Sequence, residues 1–436
     1  MKILKFGGTS VGSPERMREV AQVIIGVPGK KIVVLSAVSG TTNTLVKISD
    51  YCAESEKIEA RKVADQLKSK YYDFVDELFG STSEAQTNKQ FVDEVFELIN
   101  QLINQNFSDQ VNKMLLAQGE LMSTRFFTDY LKMTGQGCEM IMAPDYMRLD
   151  EYAEPDLNTT RELLEELIKQ SKEEVIITQG YIARNVAGGM DNLRRGGSDY
   201  TATIIGAVLK AEEVQIWTDI DGMHNNDPRL IKTTHPIAKL SFEEASELAY
   251  FGAKVLHPHC IVPAQQHEVP VRIKNTMDPA AHGTLITADK EIEAVKAIAA
   301  KDNITAIKIK SSRMVMAYGF LKRVFEVFEK YRTPIDMITT SEIAVSLTID
   351  NDEHLNAIIQ EISQYGVVEV DNKQTIICIV GDLIAERKGV GSAIFQALDD
   401  IPLRMISYGG SRNNISLLVS EEHKNDSLIK LHEALF

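Results

Sequence analysis

KIVVLSAV at residues 31–38 is an uninterrupted apolar run. A strand with one wet face alternates apolar and polar residues, so a run without polar breaks belongs to a strand covered on both faces, as in a parallel sheet between helical layers. Outward from it, EVIITQGYIA at 174–183 and EVQIWTDI at 213–220 read the same way, and VPVRIKNT at 269–276 is a further candidate. Residues 1–6 alternate and then meet Gly7-Gly8, a short strand entering a glycine turn. Between these strands the apolar period becomes helical. Ala60, Ala64, Leu67, Tyr71, Phe74 and Leu78 form one such series, Val92, Val95, Ile99 and Leu102 another, and Leu115, Met122 and Phe126 a third. Strands alternating with helices predict an α/β fold with a mainly parallel sheet between helical layers, whose ligands bind beyond the C-terminal ends of the strands.

The scheme changes near residue 290. AIKIK at 306–310 reads as a strand, GFLKRVFEVFEKY at 319–331 as a helix and IAVSLTI at 343–349 as a strand. TIICIVG at 375–381, a helix over 389–399 and NISLLVS at 414–420 repeat that order. Two copies of a small strand–helix–strand unit predict paired small α+β domains.

The bulk numbers agree with several domains: 436 residues exceed one core of ordinary size. A formal net charge of −15 excludes nucleic acid and anionic membranes as natural partners. Such a chain can hold a polyphosphate only with locally placed cations and backbone N–H groups. Cys52, Cys138, Cys260 and Cys378 are far apart with no CxxC pair, which points away from a zinc site and toward a reducing cytosol. The N-terminus lacks the apolar core of a signal peptide, and no apolar run is long enough to span a bilayer, so a cytoplasmic protein is expected.

Five motifs carry candidate chemistry. Lys5-Phe6-Gly7-Gly8-Thr9-Ser10-Val11-Gly12 reads either as an anion nest with a point charge or as a plain strand-to-helix turn; it is not a Walker A loop. In Arg195-Gly196-Gly197-Ser198-Asp199, Ser198 or Asp199 is expected to cap the following helix, and Arg195 suits a carboxylate. Trp217-Thr218-Asp219-Ile220-Asp221-Gly222 and Asn226-Asp227-Pro228-Arg229 read as a polar loop able to hold a nucleotide. In Phe251-Gly252-Ala253-Lys254-Val255-Leu256-His257-Pro258, Lys254 can reach a phosphate, while His257 and His259 lack a third metal ligand and read as structural. Glu120 in AQGELMSTRFF lies on an otherwise apolar helix, either at the surface or facing a site.

Together KFGGTSVG, SAVSGTTN, GELMST, RGGSDYTA, WTDIDG…NNDPR and FGAKVLHP resemble the aspartokinase family, in its order and approximate spacing across essentially the whole chain. The resemblance implies an amino-acid-kinase fold over residues 1–290 and two ACT domains, at 304–373 and at 294–303 with 374–436, of the monofunctional lysine-sensitive type. It implies transfer of the ATP γ-phosphate to the β-carboxylate of L-aspartate, giving 4-phospho-L-aspartate and ADP at the first step of lysine, threonine and methionine biosynthesis. Lys5 and Asp199 would be catalytic. Ser36, Thr42, Glu120, Arg195 and Ser198 would bind aspartate. Gly7, Gly8, Thr218, Asp219, His224, Arg229, Lys254 and Val255 would surround ATP, with Mg²⁺ carried by the phosphates rather than a protein cage. Met314, Ala317, Phe320, Leu321, Pro334, Ile335, Asp336, Thr340, Ser341 and Glu342 would bind allosteric L-lysine, in a homodimer or homotetramer assembled through the ACT domains. This chain departs from the family pattern at His224, where a Tyr is common, at Arg194 in place of Gly, and at Ala317 in place of Ser. Two rival readings remain at this point: a kinase of the same fold acting on glutamate, carbamate or a nucleotide, and a non-catalytic amino-acid sensor. Retention of Lys5, Glu120, Arg195 and Asp199 favours neither.

Overall fold

The computed structural model describes the chain except for residues 194–195, 253–255, 290–294 and 312–317. In chain order the elements are β1 (Lys2–Phe6), α1 (Pro14–Gly26), β2 (Lys31–Leu35), α2 (Thr41–Ala53), α3 (Lys57–Phe79), α4 (Ser83–Asn104), α5 (Asp109–Met133), β3 (Glu139–Met140), α6 (Ala143–Tyr146), α7 (Leu157–Gln170), β4 (Val175–Gln179), β5 (Ile182–Arg184), β6 (Met190–Asn192), α8 (Gly197–Leu209) and β7 (Glu213–Thr218). There follow β8 (Lys239–Ser241), α9 (Phe242–Tyr250), α10 (Val262–Gln266), β9 (Val271–Asn275), β10 (Thr284–Thr287), β11 (Ala297–Lys310), α11 (Phe320–Lys330), β12 (Ile338–Thr340), β13 (Ala344–Ile349), α12 (Leu355–Ile362), β14 (Val367–Val380), α13 (Val390–Ala397), β15 (Met405–Tyr408), β16 (Asn414–Ser420) and α14 (Lys424–Leu435). They form two compact units: Met1–Met223 with Val255–Ala288, and His224–Lys254 with Asp289–Phe436.

In the first unit the strands run β3-β4-β2-β1-β7-β9-β10. They are parallel from β3 to β9, and β10 runs antiparallel to β9. The run at 31–35 is buried at every position, as its composition requires. Leu4, Phe6, Val33, Leu35, Val175 and Ile177 share one core cluster with α1 to α5. The opposite sheet face packs on α8, itself apolar almost all round. Helices α3 and α4 add an aromatic cluster. Tyr71 lies 6.3, 6.4 and 5.8 Å from the ring centres of Phe74, Phe96 and Phe126, and each such pair contributes about 0.5–1.5 kcal/mol beyond its buried area. The expected single strand at 174–183 is instead two, β4 and β5. The break falls at Gly180 and Tyr181, where Gly180 N–H still bonds Leu35 O (2.9 Å) but Tyr181 turns to φ +68°.

The second unit holds an antiparallel sheet in the order β12-β13-β11-β14-β16-β15. The short strands expected at 306–310 and 375–381 are the halves of two 14-residue strands, β11 and β14, paired along their length with register shifts between Lys301 and Ala306. The later half of β11 pairs with β13, and the later half of β14 pairs with β16. Each repeat thus borrows part of a long strand from the other, yet keeps its own core: one contains Ile307, Val324, Leu347 and Ile358, the other Ile377, Ile394, Leu417 and Leu431. Periodicity shows where a strand packs but not how far it continues through polar residues such as Lys301, Asp302 and Asn303.

One ionic contact in this unit lies wholly inside. Lys296 Nζ sits 3.1 Å from Glu244 Oε2, with the two side chains 1% and 2% exposed. Glu244 also closes the capping box that starts α9. Removing one partner strands a buried charge, so Lys296→Ala should cost about 3–5 kcal/mol in denaturant unfolding. Lys310→Ala, which breaks an exposed pair with Glu369, should cost under about 1 kcal/mol. Equal losses would mean that Lys296 is not held as the geometry describes.

Candidate active site

The parallel strands stop level with one another: Phe6 faces Leu35 and Trp217, Leu35 faces Gln179, and Thr218 faces Asn275. The turns that follow therefore line one sheet edge. After β1, Gly7 N–H donates to Trp217 O at 3.3 Å. A Cβ at Gly8 would lie 2.9 Å from Ala37 O, so a side chain there would force the turns after β1 and β2 apart.

Lys5 is only 8% exposed, and its ammonium lies 2.6 Å from Asp199 Oδ1. The expected cap at the start of α8 is not what Ser198 and Asp199 provide. Gly196, at φ +78°, is the N-cap, and no side chain caps the helix. Asp199 instead reaches across to the end of β1, while its place in the first turn still favours a negative charge. Ser198 packs so tightly on Gly180 that a Cβ at Gly180 would lie 2.5 Å from its Oγ. Tyr181, in the left-handed region, donates its N–H to Thr201 Oγ1 at 3.0 Å and packs on Gly197. A side chain in this conformation costs about 1 kcal/mol or more, which the surrounding contacts must offset.

Glu120 resolves toward the site, not the surface. It is 4% exposed, and Oε1 accepts from Ala37 N at 3.2 Å. Oε2 has no hydrogen-bond partner among the described residues. Burial pushes its carboxyl up to about 7, against the opposing pull of the Ala37 N–H, its own backbone N–H and Lys5. The neighbouring turn is braced from two helices. Ser123 Oγ on α5 donates to Ser36 O at 2.8 Å, and Thr41 Oγ1 shares a 2.8 Å hydrogen bond with Tyr71 on α3. Ser36 and Thr42 sit half-buried in that turn. The sequence placed Tyr71 only in an apolar helical series and Ser123 only within GELMST, and gave neither a role at the site, because such helical spacing reads as core.

Lys5, Gly7, Gly8, Ser36, Thr42, Glu120, Ser198 and Asp199 thus come together at one edge of the first unit. Thr218 ends β7, its Oγ1 donating to Asp219 Oδ1 at 3.2 Å, and Asp219 is exposed. His224 and Arg229 belong to the second unit. There His224 Nδ1 meets Thr234 Oγ1 at 3.2 Å, and the exposed Arg229 guanidinium grips Asp227 in bidentate fashion at 2.9 and 2.7 Å. Arg194, Arg195, Lys254, Val255, Met314 and Ala317 lie outside the described residues. His257 Nδ1 accepts from His259 N at 3.3 Å and the His259 ring lies 5.2 Å from that of Tyr200, so both histidines have structural contacts. Among the described residues no group of three or more His, Cys, Asp or Glu is placed to hold a metal ion.

In the second unit, Phe320 is buried and Ile335 packs on the same core. Leu321, Pro334, Thr340, Ser341 and Glu342 are exposed. Thr340 and Ser341 line an open cavity of about 510 Å³ beside β12 and β13. Asp336 is buried, and its Oδ1 receives Lys301 Nζ at 2.7 Å and Tyr250 Oη at 2.9 Å.

A parallel sheet edge carrying a glycine turn, a buried ammonium paired with a half-buried carboxylate and a second, buried carboxylate, followed by paired βα repeats, suits a small-molecule kinase with regulatory domains. The model of the amino acid kinase family matches residues 1–275, and that of an ACT domain matches 307–360 and 377–435. Over its whole length the chain is 33% identical to aspartokinase 2, chloroplastic, of Arabidopsis thaliana, covering 84% of that protein. It is 32% identical to the lysine-sensitive aspartokinase 3 of Escherichia coli, covering 99% of it. It superposes on crystal structures of E. coli aspartokinase III in complex with aspartate and ADP (R-state; TM-score 0.84, 31% identity, all of both chains) and with lysine and aspartate (T-state; TM-score 0.85, 32% identity, 100% and 99% of the chains). The chain belongs to the aspartokinase family and is an enzyme of that class.

The state of Glu120 gives a test that needs no ligand. Its carboxyl keeps a proton up to about pH 7 when folded, but only to about 4.5 when unfolded. Between those values the folded state binds more protons, so this group's contribution makes stability fall as pH rises. Glu120→Gln should remove that fall. The gain in Tm over the parent should be larger at pH 8 than at pH 5, and an equal difference at both would show that Glu120 is not strained by burial.

Proposed function

We propose that this aspartokinase transfers the γ-phosphoryl group of ATP to the β-carboxylate of L-aspartate, releasing 4-phospho-L-aspartate and ADP in the cytoplasm at the entry to lysine, threonine and methionine synthesis. The observation that carries this reading is the pairing of buried Lys5 with half-buried Asp199 beside the glycine turn, with Glu120 Oε2 on the same edge having no hydrogen-bond partner among the described residues. The acceptor carboxylate is already ionised at neutral pH and needs no general base. The obstacle is repulsion between anions: two unit charges ~4 Å apart repel by about 4 kcal/mol at an effective dielectric of about 20. Positioning and charge neutralisation therefore dominate, as in other phosphoryl transfers.

In this reading Lys5 faces the phosphoryl group in transit, and Asp199 fixes Lys5 and orients the acceptor. Gly7 and Gly8 let backbone approach the phosphates. Glu120 receives the substrate ammonium and Arg195 its α-carboxylate, with Ser36, Thr42 and Ser198 lining the pocket. Thr218, Asp219, His224, Arg229, Lys254 and Val255 contribute to nucleotide binding. Mg²⁺ enters with the nucleotide, where it neutralises phosphate charge. The ammonium of an amino-acid substrate would satisfy Glu120 Oε2, which has no hydrogen-bond partner among the described residues, and this separates the reading from a carbamate or nucleotide kinase.

We further propose that L-lysine inhibits the enzyme through the first ACT repeat in a homodimer or homotetramer. The lysine-sensitive E. coli relative and the exposed cavity beside Thr340 and Ser341 support this. The effector must bind an inactive arrangement better than the active one.

An ADP-release assay tests the reaction. Aspartate should support turnover, whereas glutamate and the no-acceptor control should not; turnover with glutamate alone would replace the substrate assigned here. Lys5→Ala should lower kcat by roughly 10²–10³ with a smaller change in the KM for ATP. Near-normal kcat in the folded variant would remove Lys5 from the mechanism.

A further inference from the structure

The carboxylate offered to the effector is already occupied. Lys301 Nζ lies 2.7 Å from Asp336 Oδ1, 2.8 Å from Asp350 Oδ2 and 4.3 Å from the centre of the Tyr250 ring. Two carboxylates and an aromatic face are what a protein offers an alkylammonium ligand. Lys301 thus places within the second unit the same chemical group that a dibasic amino acid would bring. The pocket is not saturated, because the Asp336 side chain is fully buried and its Oδ2 has no hydrogen-bond partner among the described residues.

The third member of the cluster, Tyr250, ends α9. This helix docks on the double sheet through three polar residues spaced three apart. Glu244 pairs with Lys296 just ahead of β11, Glu247 receives Asn414 Nδ2 from β16, and Tyr250 donates to Asp336 ahead of β12. Two turns of helix thereby touch both repeats. Immediately after α9 a Cβ at Gly252, at φ +133°, would lie 2.1 Å from Ala300 O, so only glycine allows this approach to the residue preceding Lys301. The chain then enters Ala253-Lys254-Val255, the stretch assigned to the nucleotide.

We propose that Lys301 is a built-in occupant of the effector's ammonium subsite, which an effector with a side-chain ammonium must displace, and that displacement withdraws Asp336 from Tyr250 and loosens α9. The proposal rests on the effector reading above and specifies how that site is regulated. If Lys301 fills the subsite in about nine molecules of ten, the apparent affinity for the effector is about tenfold weaker than the intrinsic one.

The test uses the full-length protein, isothermal titration calorimetry with L-lysine and, in parallel, inhibition of ADP release. Lys301→Met should tighten lysine binding about tenfold, because it leaves the buried Asp336 without its cation. Lys301→Arg should stay near the parent. Asp350→Asn, which loosens Lys301 without emptying the pocket, should shift affinity in the same direction by less. This variant also serves if Lys301→Met folds poorly. Tyr250→Phe should bind lysine but be inhibited less at saturation. Lysine binding to Lys301→Met but not to the parent would support the occupant and overturn the effector reading for the parent enzyme. Unchanged or weaker lysine binding in both Lys301→Met and Asp350→Asn, or no binding in any form, would overturn the proposal.

Discussion

A lysine ammonium buried at the end of a strand needs a counter-charge, and in the first unit everything along the sheet edge is arranged around that need. Lys5 and Asp199 come from elements nearly two hundred residues apart, and they meet only if β1 and α8 hold a fixed relation. The close approach of Gly8 to Ala37 and of Gly180 to Ser198 shows how little slack the neighbouring turns have. Such a pair brings little net stability, because desolvating two charges offsets most of their attraction. In the proposed reading it serves the reaction instead: a fixed positive charge whose direction is set before any anion arrives would need little reorganisation during phosphoryl transfer. The acidic whole, at −15, makes this local arrangement more necessary, since long-range attraction of ATP or aspartate is not available.

Glu120 shows the same principle with the opposite sign. An ionised carboxylate with one bare oxygen is costly when buried, and the upward shift of its titration expresses that cost. A cationic group arriving at Oε2 would relieve it. In the proposed reading the substrate ammonium takes that place and Lys5 faces the phosphate, so an α-amino acid bearing a second carboxylate would suit both.

Much of the first unit could be read from residue order. The apolar run at 32–35 read as a parallel strand because three β-branched residues in succession suit a strand covered on both faces, and Lys5, Gly8, Glu120 and Asp199 stood out because charges and glycines are out of place where they fall. Two things escaped for physical reasons. The reach of Asp199 across to β1 could not be foreseen, since the same residue at the same helix position equally suits a cap, and only tertiary geometry chooses between them. The length of β11 was hidden because Lys301, Asp302 and Asn303 break the apolar period inside it, although backbone pairing needs no apolar side chain. Lys301 was hidden for the same reason: a lone lysine in a polar stretch reads as solvated until Asp336 and Asp350 are seen beside it.

Two ionic clusters beside α9 have different characters, and the difference bears on what each can do. Lys296 and Glu244 are sealed, paired and joined to a helix cap, so separating them would expose several unsatisfied groups at once. Lys301 shares two carboxylates, one of them on a side chain 37% exposed, and lies on a strand where the register slips. A cation held by two competing anions at an irregular backbone has alternatives close in energy, which is the requirement for a two-state element. Helix α9 is thus anchored at its N-terminal end and held by exchangeable contacts at its C-terminal end. In the proposal above such a helix would pivot about its N-terminal end, and its C-terminal end is the one that leads in sequence to Ala253-Lys254-Val255.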